Sequence, residues 1–477
     1  MAKSENKKNK KDKKSNIIWK ILLVLQLALS IVLITQLLVL PAKYLIAVAL
    51  LLLVMLALPF GFEFSKGKLK TVGKVLNILL SVVLVLGIFG ASKMNSFIKS
   101  IGSDGLKIDN MLVAVRLSDP ADDIYDAKDY TFGVQKTIDK DNTNKMLTEI
   151  NSVLKESVEV TEFNNMQDMV NALFSGDIDA IIYNEAFTSI IEEFSPNYLT
   201  KVKLIHKYGI KTKLDSEETV DINKGFNLYI SGIDVSGPIS MTSRSDVNII
   251  MTVNPKTKQI VLTTTPRDYF VPIPGVSGGV RDKLTHAGIY GVDASIRTLE
   301  ELYGINISYY ARVNFASLIK MVDVLDGVDV YSEYSFNAGG FHFDKGINHL
   351  NGKQALAFSR ERHSFSSGDN QRGKNQEAVI EAIIQKAMSP AILKDAGRIM
   401  ESLSDSVQTN MSGKQMKQLI NMQLQDNAKW SVESQAVTGF NAKNTCYSSG
   451  SMMLYVMNPN MESVKKASAN IKSALEK

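Results

Sequence analysis

The stretch SRSDVNIIMTVNPKTKQIVLTTTPRD, Ser243 to Asp268, decides how this chain is read. Val247–Val253 and Gln259–Thr265 are rich in β-branched residues and flank Asn254-Pro255-Lys256-Thr257-Lys258, a turn-forming segment. The two runs are therefore predicted to pair as an antiparallel hairpin. With the turn centred near Lys256, residue 246 faces roughly residue 266. Arg244 and Asp246 then lie beside Arg267 at one end of a sheet, because paired residues sit about 5 Å apart. Two arginines and a carboxylate are poor core material there and suit an anion held with a metal ion.

Arginine usage points the same way. A single arginine, Arg116, precedes Arg244, and eight then fall between Arg244 and Arg372. Arginine's planar fork grips phosphate oxygens bidentately, which lysine cannot copy; the competing reading is scattered surface ion pairs. A second polar cluster lies downstream. Gly368-Asp369 precedes a predicted helix, Gln371–Met388, with Asp369 as a reasonable N-cap. Arg372 and Gln376, four residues apart, share a face near an N-terminus that attracts anions. Arg360 and Arg362 sit just upstream. Together these residues supply ligands for a diphosphate.

No Cys or His pair has zinc spacing. Asp234, ending a predicted strand at Phe226–Ser231, and Asp246 are candidates to hold a hard cation such as magnesium, which takes one or two carboxylates plus phosphate oxygens. Each has a simpler alternative as a turn cap or an arginine partner. His286 reads as a structural loop residue. The acidic loop Asp122, Asp123, Asp126, Asp129 reads as a solvated turn.

The first part of the chain is a membrane anchor. A lysine-rich cytoplasmic tail (residues 1–16) precedes three apolar runs within residues 17–91, Ile17–Leu40, Tyr44–Phe60 and Val75–Ala91, with Lys66, Lys68, Lys70 and Lys74 in a polar loop. The first run is too long for a cleaved signal peptide. Positive segments stay inside, so three crossings export everything after about Ser92. Residues 1–91 carry net +10 and the remainder net −5. That excludes bulk nucleic-acid binding by the exported part. The lone Cys446 excludes an intrachain disulfide framework.

The exported part divides in two. Residues 92–110 are expected as a polar connector. Residues 111–213 alternate strands (Leu112–Leu117, Thr131–Gln135, Ser157–Phe163, Ile178–Tyr183, Lys201–Ile210) with helices (Asn142–Lys155, Met166–Ser175, Glu185–Phe194), as in a small α/β domain. A larger α/β domain, 222–477, follows a polar linker. It is predicted to hold a central mixed sheet flanked by helices at Val292–Tyr303, Asn314–Leu325, Gln371–Met388, Lys414–Gln425 and Met461–Leu475, with a strand near Trp430–Thr438.

The ordered set Ser243-Arg244-Ser245-Asp246, Thr265-Pro266-Arg267-Asp268, Lys283-Leu284-Thr285-His286-Ala287, Asp326-Gly327-Val328, and Ser359-Arg360-Glu361-Arg362 through Asp369, Arg372 and Gln376 resembles the LytR-CpsA-Psr family of cell-wall ligases. The match covers about Ile222 to the C-terminus, and the three spans plus an extra domain are similar to the capsule-linked CpsA branch. The resemblance implies a magnesium-dependent transfer of a glycopolymer, a capsular polysaccharide on this branch, from a polyprenyl-pyrophosphate carrier to peptidoglycan outside the plasma membrane. It implies capsule-assembly membrane proteins as further partners, while the acidic balance of the exported part leaves no nucleic acid among them. It matches Asp234 and Asp246 to metal positions and Arg244, Arg267, Arg360, Arg362, Arg372 and Gln376 to pyrophosphate positions. Arg267 and Asp369 are the implied catalytic residues, Asp369 helping to activate the acceptor. One departure stands out: many members carry an arginine where this chain has Asn375. The lipid then needs an apolar groove, for which Val292–Tyr303 and Asn314–Leu325 are candidates. Two rivals stay open: a membrane-anchored sensor that binds lipid-linked glycan without turnover, and a pyrophosphatase that uses water as acceptor.

Overall fold

The computed structural model describes residues 2–38, 42–63, 65, 67–103, 106–213, 221–233, 239–366, 368–387, 407–426 and 428–476. Three N-terminal helices, α1 (Ala2–Gln36), α2 (Ala42–Glu63) and α3 (Lys68–Ser103), are each long and apolar enough to cross a membrane. They pack on one another through Leu33, Leu52, Leu80, Leu84 and Ala91. A buried amide adds to this: Gln26 Nε2 donates to the Asn77 carbonyl at 2.6 Å and to Ser81 Oγ at 2.7 Å. The anchor groups with the helix Gly413–Asp426 as one compact unit, and residues 101–394, 402–411 and 429–477 form the other.

The second unit opens with a five-stranded sheet. Its strands are β1 (Leu106–Arg116), β2 (Thr131–Gln135), β3 (Glu159–Phe163), β4 (Ala180–Asn184) and β5 (Val202–Lys213), in the order β3-β2-β4-β1-β5. The expected connector at 92–110 is corrected. Its first part continues α3 to Ser103, and from Leu106 the chain pairs with the end of β5 from Lys213 backward. Backbone groups there find ladder partners, so a free linker does not form. Helices α4 (Lys140–Leu154), α5 (Met166–Ser175) and α6 (Thr188–Phe194) cover the sheet. The start of α5 follows from Asn165, whose side chain accepts from Asp168 N–H. The expected helix Glu185–Phe194 splits into a 3₁₀ turn, Glu185–Phe187, and α6. The acidic loop is a turn: Asp123 caps Ile124–Ala127, with Asp126 bonding back.

The larger domain is built on β6 (Phe226–Ile233), β7 (Ser245–Asn254), β8 (Gln259–Thr264), β9 (Tyr309–Asn314), β10 (Val407–Thr409) and β11 (Ser431–Ala436). They form a mixed sheet in the order β10-β9-β6-β7-β8-β11, with β6/β9 and β8/β11 parallel and the other pairs antiparallel. The central hairpin has the register Asn254↔Gln259 to Ile249↔Thr264. Extended by three residues, this sets Asp246 against Arg267.

Strand parity decides what each face does. Tyr229, Ile250 and Tyr310 point to a buried core shared with α7 (Val292–Tyr303) and with Val464, Ala467 and Ile471 of the terminal helix Met461–Glu476. The opposite parity, Leu228, Ile230, Met251, Ala311 and Val313, faces α8 (Phe315–Val324) and α10 (Asp369–Ala387), with α9 (Gly352–Arg360) leading into α10. The start of α8 is a capping box between Asn314 and Ser317.

Candidate active site

The sheet face bearing Leu228, Ile230, Ala311 and Val313 forms one wall of a cavity of about 620 Å³. Phe315, Leu318 and Met321 of α8 and Val379, Ile380, Ile383 and Ile384 of α10 form the opposite wall. The depth of the cavity is thus aliphatic and aromatic. Its polar lining comprises Arg244, Asp246, Arg267, Ser359, Arg360, Arg362, His363, Arg372 and Gln376, together with Asn314. Five arginines and one carboxylate are therefore gathered on a largely apolar pocket. Of the two helices expected as walls of a groove, α8 lines this cavity. Helix α7 does not: its apolar stripe is spent on the core beyond the opposite face of the sheet.

The polar end is held by short contacts. Arg267 Nη1 lies 2.8 Å from Asp246 Oδ1, and its Nε lies 3.7 Å from Asp268 Oδ2. Thr285 locks this pair from below: its Oγ1 donates to Asp246 Oδ1 at 3.0 Å and its N–H to the Arg267 carbonyl at 2.8 Å. Lys283 Nζ sits 3.6 Å from Asp268 Oδ1. Arg244 Nη1 approaches Glu193 Oε1 of α6 at 3.4 Å, so Arg244 shares the cavity with Arg267 but takes a different carboxylate.

The second cluster comes from the α9–α10 connection. Arg360 stacks on the Phe315 ring, 4.5 Å from its centroid, at the edge of the cavity. Arg362 Nε donates to His363 Nε2 at 3.2 Å. Arg372 and Gln376 project into the cavity from one face of α10. Gly373 lets that helix approach β8, since a Cβ there would sit 3.0 Å from the Thr264 methyl. Likewise a Cβ on Gly232 would fall 2.6 Å from Val247, so the glycine permits close strand approach beside the cavity.

Asp234 lies outside the described residues, and so does the side chain of Asp369, whose backbone begins α10. Asn375 is buried under the helix: it donates to the Phe358 carbonyl at 3.2 Å and accepts from Gln371 Nε2 at 3.2 Å. The position at which the resemblance led one to expect an arginine is thus packed inward here. His286 is structural: it is buried against Asp282 Oδ1 at 2.7 Å and Ser448 Oγ at 2.8 Å, both through Nδ1. A nucleophilic serine would need the other ring nitrogen.

Among the described residues no group of three His, Cys, Asp or Glu could hold a metal ion. Of the two carboxylates expected to hold a hard cation, only Asp246 falls among the described residues, and there it pairs with Arg267 at 2.8 Å.

Sequence reasoning did not reach Glu193, Lys283 and Thr285 as neighbours of the arginines. Lys283 and Thr285 stood in a noted segment without a role, and nothing local marks Glu193. It also missed Glu377, one residue beyond Gln376 on the face turned to β8. Burial pushes its carboxyl up to about 8. The folded state thus binds a proton that the unfolded chain releases near its ordinary carboxylate value. Stability contributed by Glu377 is therefore unaffected below that value and falls as pH rises toward about 8. Glu377→Gln is expected to melt like wild type near pH 4 and progressively higher than wild type up to pH 9. A constant difference in melting temperature across that range would contradict the buried neutral carboxyl.

Five arginines and one carboxylate set on an apolar pocket, on one face of a mixed sheet, are what this α/β domain presents at the site. Residues 196–470 match the LytR_cpsA_psr family, and the chain belongs to it. It is 36% identical over 217 residues to the polyisoprenyl-teichoic acid–peptidoglycan teichoic acid transferase TagU of Bacillus mycoides, covering 44% of this chain and 70% of the relative. Identity to the protein of the same name from Oceanobacillus iheyensis is 35% over 202 residues, covering 41% of this chain and 61% of the relative. Among solved structures, B. subtilis TagU aligns with TM-score 0.42 and 28% identity over 53% of this chain and 98% of that one. TagT bound to LI-WTA aligns with TM-score 0.44 and 27% identity, over 55% and 94%.

Proposed function

We propose that this chain is a multi-pass plasma-membrane enzyme with an extracytoplasmic transferase domain. It moves a glycopolymer from a polyprenyl-pyrophosphate carrier to peptidoglycan. The observation that carries this reading is the single cavity in which an apolar depth meets five arginines. A polyprenyl chain matches the first and a diphosphate the second. In the proposed step the acceptor hydroxyl attacks the phosphorus on the glycan side. The bond to the polyprenyl phosphate breaks, and that phosphate leaves with the charge. Arg267, Arg244, Arg360, Arg362, Arg372 and Gln376 hold the two phosphates, and positioning with charge stabilisation supplies most of the rate. Asp369 is proposed to take the proton from the acceptor. Magnesium bound by Asp246 and Asp234 would neutralise phosphate charge. The relatives' names support teichoic acid as cargo, whereas the extra domain and three spans support a capsular polysaccharide.

The test is transfer by the full-length chain from each lipid-linked polymer to purified peptidoglycan. Covalent product that disappears with Asp246→Ala and with excess chelator supports the reading. Binding without product favours a sensor, release of the glycan to water favours a pyrophosphatase, and full activity in chelator removes the metal.

Topology has its own test. In the loop after Pro272, Ser277 is buried and its Oγ accepts from Ile273 N–H at 2.9 Å, so it cannot report exposure. Val280 is exposed in the same loop and serves instead. The native Cys446 is buried. A membrane-impermeant thiol reagent on intact cells is expected to label Val280→Cys and not Ser4→Cys. The reverse pattern would overturn the assignment.

A further inference from the structure

Arg244 sits at the end of a segment, Ser240 to Arg244, that leads into β7. A buried arginine of the larger domain holds this segment by one bond, from Arg312 Nη2 to the Met241 carbonyl at 2.8 Å. Four further contacts come from the smaller domain. Ile108 N–H donates to the Ser240 carbonyl at 3.0 Å, and Thr242 N–H donates to the Ile108 carbonyl at 3.3 Å. Thr242 Oγ1 donates to Asp109 Oδ1 at 2.9 Å, with both residues buried. The fourth contact is from the Arg244 guanidinium to Glu193. Asp109 is itself fixed by Lys107 Nζ at 3.0 Å and Asn184 Nδ2 at 3.3 Å. Glu193 also lies 3.8 Å from Lys283 Nζ, so one carboxylate separates two cations that would otherwise repel.

We propose that the smaller domain is a working part of the pyrophosphate site: through Asp109 and Glu193 it fixes the Ser240–Arg244 segment and so sets where the Arg244 guanidinium meets phosphate. Thr242, Asp109 and Glu193 are positioning residues, and Arg244 is the group that touches substrate. The inference rests on the pyrophosphate reading of Arg244. Arginine has a long, rotamer-rich stem, and a fork already held in place gives up less freedom when it closes on an anion. The argument also has a distinctive sign. If Glu193 acted through charge alone, removing it would tighten the binding of an anion. A positioning role predicts the opposite.

The experiment measures the affinity of geranylgeranyl pyrophosphate for the full-length chain in lipid nanodiscs, with thermal melts alongside. Thr242→Val removes the bond to Asp109 without changing charge, and Glu193→Ala removes the Arg244 contact. Each is expected to weaken the probe about two- to tenfold, the worth of one net hydrogen bond. Thr242→Ser should restore wild-type affinity. In an Arg244→Ala background both changes should be silent, because the residue through which they act is gone. If Arg244→Ala weakens the probe while Thr242→Val and Glu193→Ala bind like wild type, the positioning role falls and the pyrophosphate reading stands. If either variant tightens the probe, or still weakens it in the Arg244→Ala background, the positioning role is equally overturned. If Arg244→Ala itself changes nothing, both readings fall. Glu193 is part-exposed, so that arm decides the matter even where Thr242→Val fails to fold.

Discussion

Arg267→Lys is expected to lower glycopolymer transfer by about 10²–10³, the usual cost of losing one preorganised donor to developing charge. Lysine preserves the charge but presents a point donor where the fork of Arg267 is built into a lattice. Its Nη1 is 2.8 Å from Asp246 and its Nε 3.7 Å from Asp268, and its carbonyl is tied by Thr285. A fork so constrained can satisfy Asp246 with one nitrogen and address phosphate oxygens with another. Arg267→Ala should be inactive and also less stable by about 1–3 kcal/mol, since a part-buried carboxylate is left without its cation. Only the lysine variant therefore tests chemistry cleanly. The measurement is single-turnover transfer with melting curves for both variants. Wild-type turnover by Arg267→Lys would remove the bidentate role. A lysine variant that melts as low as the alanine one would assign the residue to structure instead.

Ala311→Phe is expected to close the apolar end. Ala311 lines the cavity wall on β9, paired with Ile230 of β6 and on the sheet face turned to α8. A phenyl ring would occupy space that the lipid requires, at no cost in charge or hydrogen bonding. Each methylene kept out of the pocket forfeits about 0.8 kcal/mol, so excluding two or three costs more than about tenfold in affinity. The effect should depend on chain length: a C20 or longer polyprenyl pyrophosphate loses affinity, while a C5 pyrophosphate, which needs only the arginine mouth, binds nearly as to wild type. The melting temperature should hold or rise, because a cavity is being filled. Equal loss for short and long chains would mean that the cavity does not hold the lipid.

The features legible in the sequence were those encoded locally. The apolar runs with lysine flanks read directly as three long apolar helices, because length and hydropathy need no partner. The hairpin reading, with residue 246 opposite roughly residue 266, came within one residue of the register that sets Asp246 against Arg267. A two-strand turn determines its own pairing. The spacing of Arg372 and Gln376 likewise placed both on one helix face, which lines the cavity. The helices Met166–Ser175 and Val292–Tyr303 were read to the residue: each stops at a left-handed glycine, Gly176 or Gly304, and Asn165 caps the start of the first.

What depended on distant partners was not legible. The apolar stripe of Val292–Tyr303 is as regular as that of Phe315–Val324, yet one fills the core and the other lines the cavity. Only the side of the sheet on which each crossover lands separates them. Residues 92–110 look polar and free, yet α3 runs on to Ser103 and β5 supplies the partners of Leu106 to Asn110 from about a hundred residues away. Asn375 reads as a lost phosphate ligand until Phe358 and Gln371 show that its position is packed inward. Glu193 belongs to a different domain from Arg244, so no spacing rule relates them. The sequence by itself determined which residues can bind a phosphate, since charge, fork geometry and local periodicity belong to the residues. The tertiary structure alone decided which of them meet over an apolar pocket, and that Glu193 of the smaller domain lies against Arg244, because those contacts exist only once the sheet has been assembled.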